Sequence, residues 1–454
     1  MASDKTIHDS TPDARPADLI AGLRAGSPAA PSIPSLPKTQ RDVALDGLRG
    51  LAVLMVFLFH YGGGLESSKP AVHLIGLITQ AGWLGVVLFF ALSGFLITGS
   101  LWETVAQGHR LRNFYARRAL RILPIYSVAL LAAVSADLIR GASLSQLKPF
   151  AIFAFFLQNF PHLAADAIQN PSPLPLYHFW TLAVEEQFYL IWPLILLLAH
   201  SRRHALRLSL WFFAATLIFL LCIYGLPAFA GARAHHLYDY FLLTQGGAIA
   251  LGCATSLAMG SRFSPTGRKP GTHRLVRKYA LHAFCIGLSI YLFTSYLSRS
   301  LALSDPIQFW LGLPAVSIAA AAAIPLVLRS GLPRTLFSHP LLGWMGRISY
   351  GFYIYHILLQ PLFDYLGARY SHHTMGNDYH IVRALFAFLI TCIVSWASFT
   401  FFEKPILSLK RYFPLYPSLP WGEPLPETHH SRHHHSRIIH AGTVPAKKDD
   451  FRSA

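Results

Sequence analysis

Long apolar segments separated by short charged blocks make up most of the chain. About ten of these segments have the roughly 18 to 24 residues that a helix needs to cross a bilayer. None shows the strict alternation of apolar and polar residues that marks the strands of a membrane barrel. The pattern predicts an all-α fold, a polytopic transmembrane bundle of about ten helices. The predicted spans lie near 43–62, 82–101, 119–139, 178–199, 207–225, 238–259, 281–299, 308–328, 347–367 and 381–402.

The sequences that flank the bundle have a different composition. Residues 1–40 are rich in Ala, Pro and Ser and cannot bury a core, so we predict a disordered cytoplasmic tail. Residues 41–406 form the predicted ten-helix membrane domain. Residues 407–454 form a predicted disordered, basic and His-rich cytoplasmic tail. A histidine tract can bind metal, but in an unstructured tail we expect no metal site.

One apolar stretch, Phe150 to Phe160, is too short to span a bilayer. It is followed by a Pro-rich loop at 171–175. We predict a re-entrant or interfacial helix here, because a full span would reverse the sidedness of every later loop.

The distribution of charge predicts the orientation of the bundle. The chain has 38 Lys and Arg against 21 Asp and Glu, for a net charge of +17. With both termini in the cytoplasm, about 30 of the 38 basic residues fall on the cytoplasmic side and about six on the outer side. We therefore interpret the basicity as a topology signal and expect no nucleic-acid partner. The lipid bilayer is the partner that the composition predicts.

The first span carries two ionisable side chains on one face, and placing such groups inside a membrane costs free energy. Arg49 and His60 are eleven residues apart, and eleven steps of about 100° return to within about 20° of the same direction. They lie about 16 Å apart along the helix axis, with Asp46 and Arg49 near the cytoplasmic edge and His60 in the outer half. A histidine can take a proton from a hydroxyl near neutral pH. A histidine that is simply hydrogen-bonded in the bundle is the alternative.

A basic block precedes the third span. Arg118 and Arg121 are one helical turn apart and can present two guanidinium groups to one phosphate-bearing ligand. A topology-setting charge cluster or a lipid-headgroup contact explains the same spacing equally well.

Two adjacent carboxylates, Glu185 and Glu186, lie in the fourth span. They cannot both face lipid, so we expect one to face the bundle interior and to orient a histidine or bind substrate hydroxyls. Glu185 shares a helix face with His178 and with Tyr189. An ion pair with Arg383 of the tenth span is the structural alternative.

The ninth span has a similar polar face. Ser349, Tyr353 and His356 fall along one side of the predicted helix. The tyrosines can equally belong to the aromatic belt at the membrane surface, so the signal for chemistry is stronger for His356.

Taken in order, these blocks resemble one family, the membrane-bound acyltransferase-3 proteins that acylate carbohydrate hydroxyls. Each motif is loose alone, but six in the family's order are specific, and they cover roughly residues 42–406. The matching pieces are Asp46 to His60, Gly82 to Phe95, Arg118 to Arg121, Phe179 to Tyr189, Ser349 to His356, and Glu403-Lys404-Pro405.

The resemblance implies an activity, the transfer of an acyl group, commonly acetyl, from an acyl-coenzyme A type donor to a sugar. It implies that Arg49, His60, Arg118 and Arg121 match the family's functional positions. The chain resembles the stand-alone form of the family, without an added SGNH-type esterase domain. Further candidates are Asp46, Ser93, Trp180, Tyr189, Ser349 and His356.

The resemblance, together with the predicted membrane topology, implies an O-acyltransferase of the bacterial cytoplasmic membrane. We expect a cytoplasmic donor at the arginines, a cell-surface or lipid-linked glycan acceptor on the outer side, and His60 as general base with Glu185 or Glu186 orienting it. Whether transfer is direct or passes through acyl-His60 stays open. We expect no cofactor beyond the co-substrate acyl-coenzyme A. The alternatives are a proton-coupled transporter, which also uses intramembrane His, Arg and Glu, and a non-catalytic scaffold.

Overall fold

The computed structural model describes ten stretches of the chain, and they contain helices and no strand. The described residues are 42–63, 70–106, 111–143, 146–160, 172–227, 239–260, 271–303, 305–329, 331–371 and 377–414. The all-α prediction is therefore confirmed. The predicted tail at 1–40 and the histidine tract near residue 430 lie outside the described residues.

Fifteen α-helices follow one another in these ranges, several of them extended by short 3₁₀ or π segments. They are α1 (Val43–Tyr61), α2 (Pro70–Gln80), α3 (Leu84–Ala106), α4 (Leu111–Ile139), α5 (Pro149–Ala154), α6 (Trp180–Leu197), α7 (Arg202–Leu220), α8 (Leu242–Met259), α9 (Gly271–Ser298), α10 (Leu313–Val327), α11 (Leu332–Phe337), α12 (Pro340–Leu358), α13 (Gln360–Tyr370), α14 (Asn377–Ser398) and α15 (Lys404–Ser408). The 3₁₀ segment Ala81–Trp83 joins α2 to α3, and Tyr177–Phe179 precedes α6.

A helix is present at each of the ten predicted spans. Eight helical stretches within the described ranges are long and apolar enough to cross a membrane. The other two predicted spans correspond to α6 and α12, which are helical but less apolar. These two helices carry Glu185, Glu186 and His356. The polar side chains that lower their hydropathy are thus candidate site residues.

The ninth span has different bounds from those predicted. We expected one helix over 347–367, but α12 ends at Leu358 and α13 starts at Gln360. Pro361 lies in the first turn of α13 and has no backbone N–H to continue the helical ladder. The break places His356 in the last turn of α12.

Two helix pairs pack closely because glycine lets their backbones approach. α1 packs against α12, and α3 packs against α8. A Cβ added at Gly346 of α12 would lie 1.8 Å from the backbone oxygen of Asp46, and one at Gly94 of α3 would lie 2.0 Å from that of Ile249. Small residues allow this approach in membrane helix pairs. The α1–α12 pair matters most for the site, because it brings the last turns of both helices together.

The segment 146–160 is a short helix followed by a buried loop. α5 has only six residues, so it is too short to cross a bilayer, as predicted. The Gln158 side chain donates to the backbone oxygen of Phe179 over 2.8 Å, and Gln187 donates to Asn159 over 2.7 Å. The loop is therefore fastened to the start of α6.

Helical structure continues beyond residue 406. α15 is followed by the 3₁₀ segment Leu409–Tyr412, so the predicted start of a disordered tail at 407 lies too early. Arg117 donates to the backbone oxygens of Lys410 and Phe413 over 2.9 and 3.1 Å, and Asn113 donates to that of Pro414. These bonds hold the end of the chain's described part against α4.

Candidate functional site

Three histidines from distant parts of the chain meet at one end of the bundle. His60 is in the last turn of α1, His178 directly precedes α6, and His356 is in the last turn of α12. The His356 ring centroid lies 5.1 Å from that of His60 and 5.4 Å from that of His178. His356 and His178 are buried, whereas His60 is partly exposed. We call these residues the histidine cluster and this end of the bundle the histidine end.

Backbone carbonyls fix the position of the ring protons in the histidine cluster. Nδ1 of His60 lies 2.9 Å from the oxygen of Val56, and Nδ1 of His356 lies 2.7 Å from that of Tyr353. A carbonyl oxygen can only accept, so both Nδ1 atoms carry the proton when the rings are neutral. Nε2 of His356 then accepts from Nδ1 of His60 across 3.4 Å. This arrangement leaves Nε2 of His60 unprotonated, which makes it a base.

Hydroxyl groups join the helix ends around the histidine cluster. The Tyr353 hydroxyl donates to the backbone oxygen of His178 over 2.8 Å and lies 2.6 Å from the Thr181 hydroxyl. The Tyr61 hydroxyl donates to the backbone oxygen of His356. α1, α6 and α12 are therefore tied together at the level where the imidazoles meet.

A second polar group surrounds Glu185. The Ser93 hydroxyl donates to one carboxylate oxygen of Glu185 over 2.6 Å, and the Tyr189 hydroxyl donates to the other over 3.1 Å. The guanidinium of Arg118 lies 5.1 Å from the centroid of the Tyr189 ring. Arg118 and Arg49 both lie within electrostatic range of Glu185. We call Ser93, Glu185, Tyr189 and Arg118 the carboxylate cluster.

The two clusters lie at different depths. His178 and Glu185 are seven residues apart, about 10 Å along the axis of α6 at 1.5 Å per residue. The expectation that Glu185 faces the bundle interior agrees with its hydrogen bonds to Ser93 and Tyr189. Its carboxylate oxygens are bonded within the carboxylate cluster, whereas the ring partner of His60 is His356.

The structural alternative for Glu185 is wrong. Nε of Arg383 lies 2.5 Å from a carboxylate oxygen of Asp364, and its guanidinium lies 4.8 Å from the centroid of the Tyr61 ring. Arg383 is therefore paired at the histidine end, by a residue of α13.

Arg118 and Arg121 face different carboxylates. Arg118 is within electrostatic range of Glu185 and Glu186, and Arg121 is within range of Glu403. Glu186 has one buried oxygen without a hydrogen-bond partner in the described part of the chain, as does Glu403. Acidic side chains therefore surround Arg118 and Arg121 and stabilise their positive charges inside the bundle.

The remaining predicted residues have local contacts. Asp46 forms an ion pair with Arg49 at 3.4 Å. The Ser349 hydroxyl donates to the backbone oxygen of Gly346 in its own helix over 3.1 Å. The Trp180 ring packs against Tyr240 at 4.6 Å between centroids. Ser349 and Trp180 therefore stabilise packing, and neither is in contact with the histidine cluster through these bonds.

Sequence reasoning did not single out His178 and Tyr353 as site residues. His178 is 2% exposed, and both of its ring nitrogens lack a hydrogen-bond partner among the residues described here. The position of His178, just before a span that carries Glu185 and Glu186, could have marked it as a site residue. Tyr353 shared a predicted helix face with Ser349 and His356, but the aromatic belt explained its position equally well. Across the described ranges, no three His, Cys, Asp or Glu side chains are arranged to hold a metal ion.

Comparison with known proteins identifies a family and several relatives. A family profile described as an acyltransferase domain matches residues 42–401. The chain is 29% identical over 390 residues to YrhL of Bacillus subtilis, provisionally named a peptidoglycan O-acetyltransferase; the alignment covers 80% of this chain and 54% of YrhL. It is 28% identical over 381 residues to the peptidoglycan O-acetyltransferase OatA of Listeria monocytogenes, with 80% and 55% of the two chains covered.

The chain thus spans about half the length of these two relatives. A shorter match of 34% identity over 176 residues covers 37% of this chain and 27% of a Staphylococcus aureus protein provisionally named an O-acetyltransferase. No solved structure matches the chain.

Proposed function

Because the chain belongs to the acyltransferase family whose profile spans residues 42–401, we propose that it transfers an acyl group to a hydroxyl of a glycan. The chain is a multi-pass membrane protein. In the proposed reaction, acetyl moves from acetyl-coenzyme A on the cytoplasmic side to a cell-surface or lipid-linked sugar on the outer side of the bacterial cytoplasmic membrane. The observation that carries the proposal is the contact of Nδ1 of His60 with the Val56 oxygen and with Nε2 of His356, which leaves Nε2 of His60 as the nitrogen able to accept a proton.

The positive-inside rule gives the bundle its proposed orientation. Loops rich in Lys and Arg remain in the cytoplasm, so the start of α1 and the start of α4 face inward. The histidine cluster is at the opposite ends of α1 and α12 and therefore faces outward in this orientation.

Three arginines are suited to the donor. Coenzyme A carries several phosphates, and guanidinium groups bind phosphate with charge-assisted, often bidentate hydrogen bonds. Arg49, Arg118 and Arg121 lie near the proposed cytoplasmic ends of α1 and α4. The long pantetheine arm would then extend along α1 from Arg49 towards His60, placing the thioester beside the base.

His60 acts as general base in the proposed transfer. The acceptor oxygen forms a bond to the thioester carbonyl carbon while its proton moves to Nε2 of His60. The carbon–sulfur bond then breaks, and the leaving thiolate takes the proton from the His60 imidazolium. His356 accepts from Nδ1 of His60 throughout, and this hydrogen bond strengthens when His60 is charged. We therefore assign the orienting role to His356 and a role near the donor to Glu185.

The relatives support a polysaccharide of the cell wall as acceptor. Two of them are named for the O-acetylation of peptidoglycan. A peptidoglycan sugar is therefore our first choice of acceptor. The proton-coupled transporter is disfavoured, because family membership supplies a chemical reason for the intramembrane histidines and arginines.

The proposal is tested by expressing the protein in cells and measuring O-acetyl groups on their cell-wall glycan by mass spectrometry. We expect wild type to add acetyl groups and His60→Ala to add none above the background of cells without the protein. His282→Ala is the matched control, because His282 is exposed on α9, away from both clusters. Equal acetylation by His60→Ala and His282→Ala, at equal membrane levels, would contradict the assignment of the base.

A further inference from the structure

An open groove of about 700 Å³ lies beside the loop that follows α9. Its polar lining is Ser295, Tyr296, Arg299 and Ser300, and its apolar lining is the four leucines Leu77, Leu292, Leu297 and Leu301. Tyr296 is 79% exposed and Arg299 is exposed as well, so the groove presents an aromatic ring and a guanidinium group to a ligand. We call it the Arg299 pocket.

Packing contacts place the Arg299 pocket at the histidine end. The Trp83 indole donates to the backbone oxygen of Leu301, a residue of the pocket wall, over 2.7 Å. Gly82, next to Trp83, packs so closely on α1 that an added Cβ would lie 2.8 Å from the backbone nitrogen of Phe59. Phe59 directly precedes His60. The Arg299 pocket and His60 are therefore at the same end of the bundle, with the segment Ala81–Trp83 between them.

Arg299 directly follows the last residue of α9 and caps the helix. Its φ of 54° is in the left-handed region, and Ser300 N–H donates to the oxygen of Ser295 over 3.2 Å, as in a common type of helix end. The Gln308 side chain donates to the oxygen of Ser300 over 2.9 Å. These hydrogen bonds fix the backbone that carries the Arg299 guanidinium.

The charge of Arg299 is also unusual for its side of the membrane. In the proposed orientation, the outer side holds only about six of the 38 basic residues, and Arg299 is one of them. A guanidinium group pairs with carboxylates through two parallel hydrogen bonds. Sugars pack on aromatic rings through their apolar faces, and serine hydroxyls match sugar hydroxyls. The Arg299 pocket thus offers Tyr296 and Ser300 to a sugar ring and Arg299 to a carboxylate.

We propose, on the basis of the acyl transfer proposed above, that the Arg299 pocket is an acceptor subsite for a glycan that carries a carboxylate. The carboxylate pairs with Arg299, and a sugar ring of the same glycan packs on Tyr296. This contact positions the chain of sugars at the histidine end, so that a hydroxyl of a neighbouring unit reaches Nε2 of His60. The pocket therefore selects an acidic acceptor, such as a peptidoglycan fragment, over a neutral one.

The test compares two acceptors of equal length, a peptidoglycan fragment with free carboxylates and a neutral oligomer of N-acetylglucosamine. The variants are Arg299→Gly, Arg299→Lys and, as a matched control, Arg140→Gly, which removes an exposed arginine elsewhere. Glycine adopts a left-handed φ without strain, so Arg299→Gly removes the guanidinium and leaves the loop at least as stable. Binding is measured by calorimetry on the purified protein, and the KM values for acceptor and donor are measured in parallel.

We expect Arg299→Gly to weaken binding of the peptidoglycan fragment and raise its KM about ten- to a hundredfold, because a charge-assisted contact is lost. Arg299→Lys should be intermediate, since lysine keeps the charge but not the planar fork. The KM for acetyl-coenzyme A and the affinity for the neutral oligomer should not change, and Arg140→Gly should match wild type.

Three results would overturn the inference. One is an equal effect of Arg299→Gly and Arg140→Gly. Another is an equal loss for the acidic and the neutral oligomer. The third is Arg299-dependent stabilisation by anionic lipid without glycan binding. Arg299-dependent binding of the fragment without any acetyl transfer by wild type would instead contradict the proposed function alone.

Discussion

At the scale of single residues, proton placement gives His60 and His356 distinct roles. The carbonyls of Val56 and Tyr353 hold a proton on Nδ1 of His60 and of His356, respectively. The lone pair on Nε2 of His356 therefore faces His60, and Nε2 of His60 keeps its own lone pair for the reaction. A base works best when its reactive nitrogen is kept unprotonated and its ring is held still. In the proposed reaction His356 is therefore a positioning residue, and its loss should act through His60.

This role predicts the effect of substitutions at His356. His356→Ala should lower kcat about ten- to a hundredfold, because the Nδ1 proton of His60 loses one of its two acceptors and the ring loses the neighbour that holds it in place. His356→Gln should recover part of that loss, since an amide oxygen can accept from Nδ1 of His60. The measurement is kcat at saturating donor and acceptor. A kcat for His356→Ala within twofold of wild type would show that His60 needs no such partner.

A second prediction concerns the donor. Arg118→Ala should raise the KM for acetyl-coenzyme A about tenfold or more and leave the acceptor KM unchanged, because one charged phosphate contact is lost. Arg203→Ala is the matched control, since Arg203 is exposed at the start of α7. The idea fails if both variants give the same donor KM.

Contacts within one helix could be predicted from the sequence at this scale, and contacts between distant helices could not. The spacing of Glu185 and Tyr189 predicted a shared face, and the structure joins them at 3.1 Å. His60 and His356 are separated by 296 positions, and nothing in a single helix period relates them. The orphaned ring of His178 likewise depends on which helices meet around it.

At the scale of helices, the positions of the spans could be predicted from the sequence, but the pairing of the helices could not. Apolar length predicted a helix at every expected span, because the bilayer sets that length directly. It did not predict the end of α12 at Leu358, because the aromatic residues after the break continue the apolar pattern. Apolar length also did not predict that α1 packs against α12. This contact is possible because Gly50 and Gly346 have no Cβ atom that would collide with the facing backbone.

The α1–α12 contact gives a prediction for stability. Gly346→Ala should destabilise the protein by about 1–3 kcal/mol and lower its thermal midpoint in detergent, since the added Cβ would collide with the backbone of Asp46. Gly343→Ala is the control on the same helix, because its Cβ would meet only a Val43 methyl at an ordinary 3.6 Å. Equal thermal midpoints for the two variants would rule out close packing as the reason for Gly346.

At the scale of the whole molecule, the two polar clusters divide the proposed reaction between the two sides of the membrane. The carboxylate cluster lies, with Arg49, at the level proposed for the donor, and the histidine cluster lies about 10 Å away along α6. Transfer across this distance would allow a cytoplasmic thioester to modify a sugar outside the cell. The charge bias of the sequence predicted the orientation, but the division into two clusters required the packed helices.

Transfer from an inside donor to an outside acceptor through His60 is measured most directly in right-side-out membrane vesicles loaded with labelled acetyl-coenzyme A. A peptidoglycan fragment is added outside, and label on the fragment is measured over time for wild type, His60→Ala and His282→Ala. We expect labelled fragment with wild type and His282→Ala, and none above background with His60→Ala. Label transferred by His60→Ala at the wild-type rate, or transfer only when donor and acceptor are on the same side, would contradict the proposed transfer.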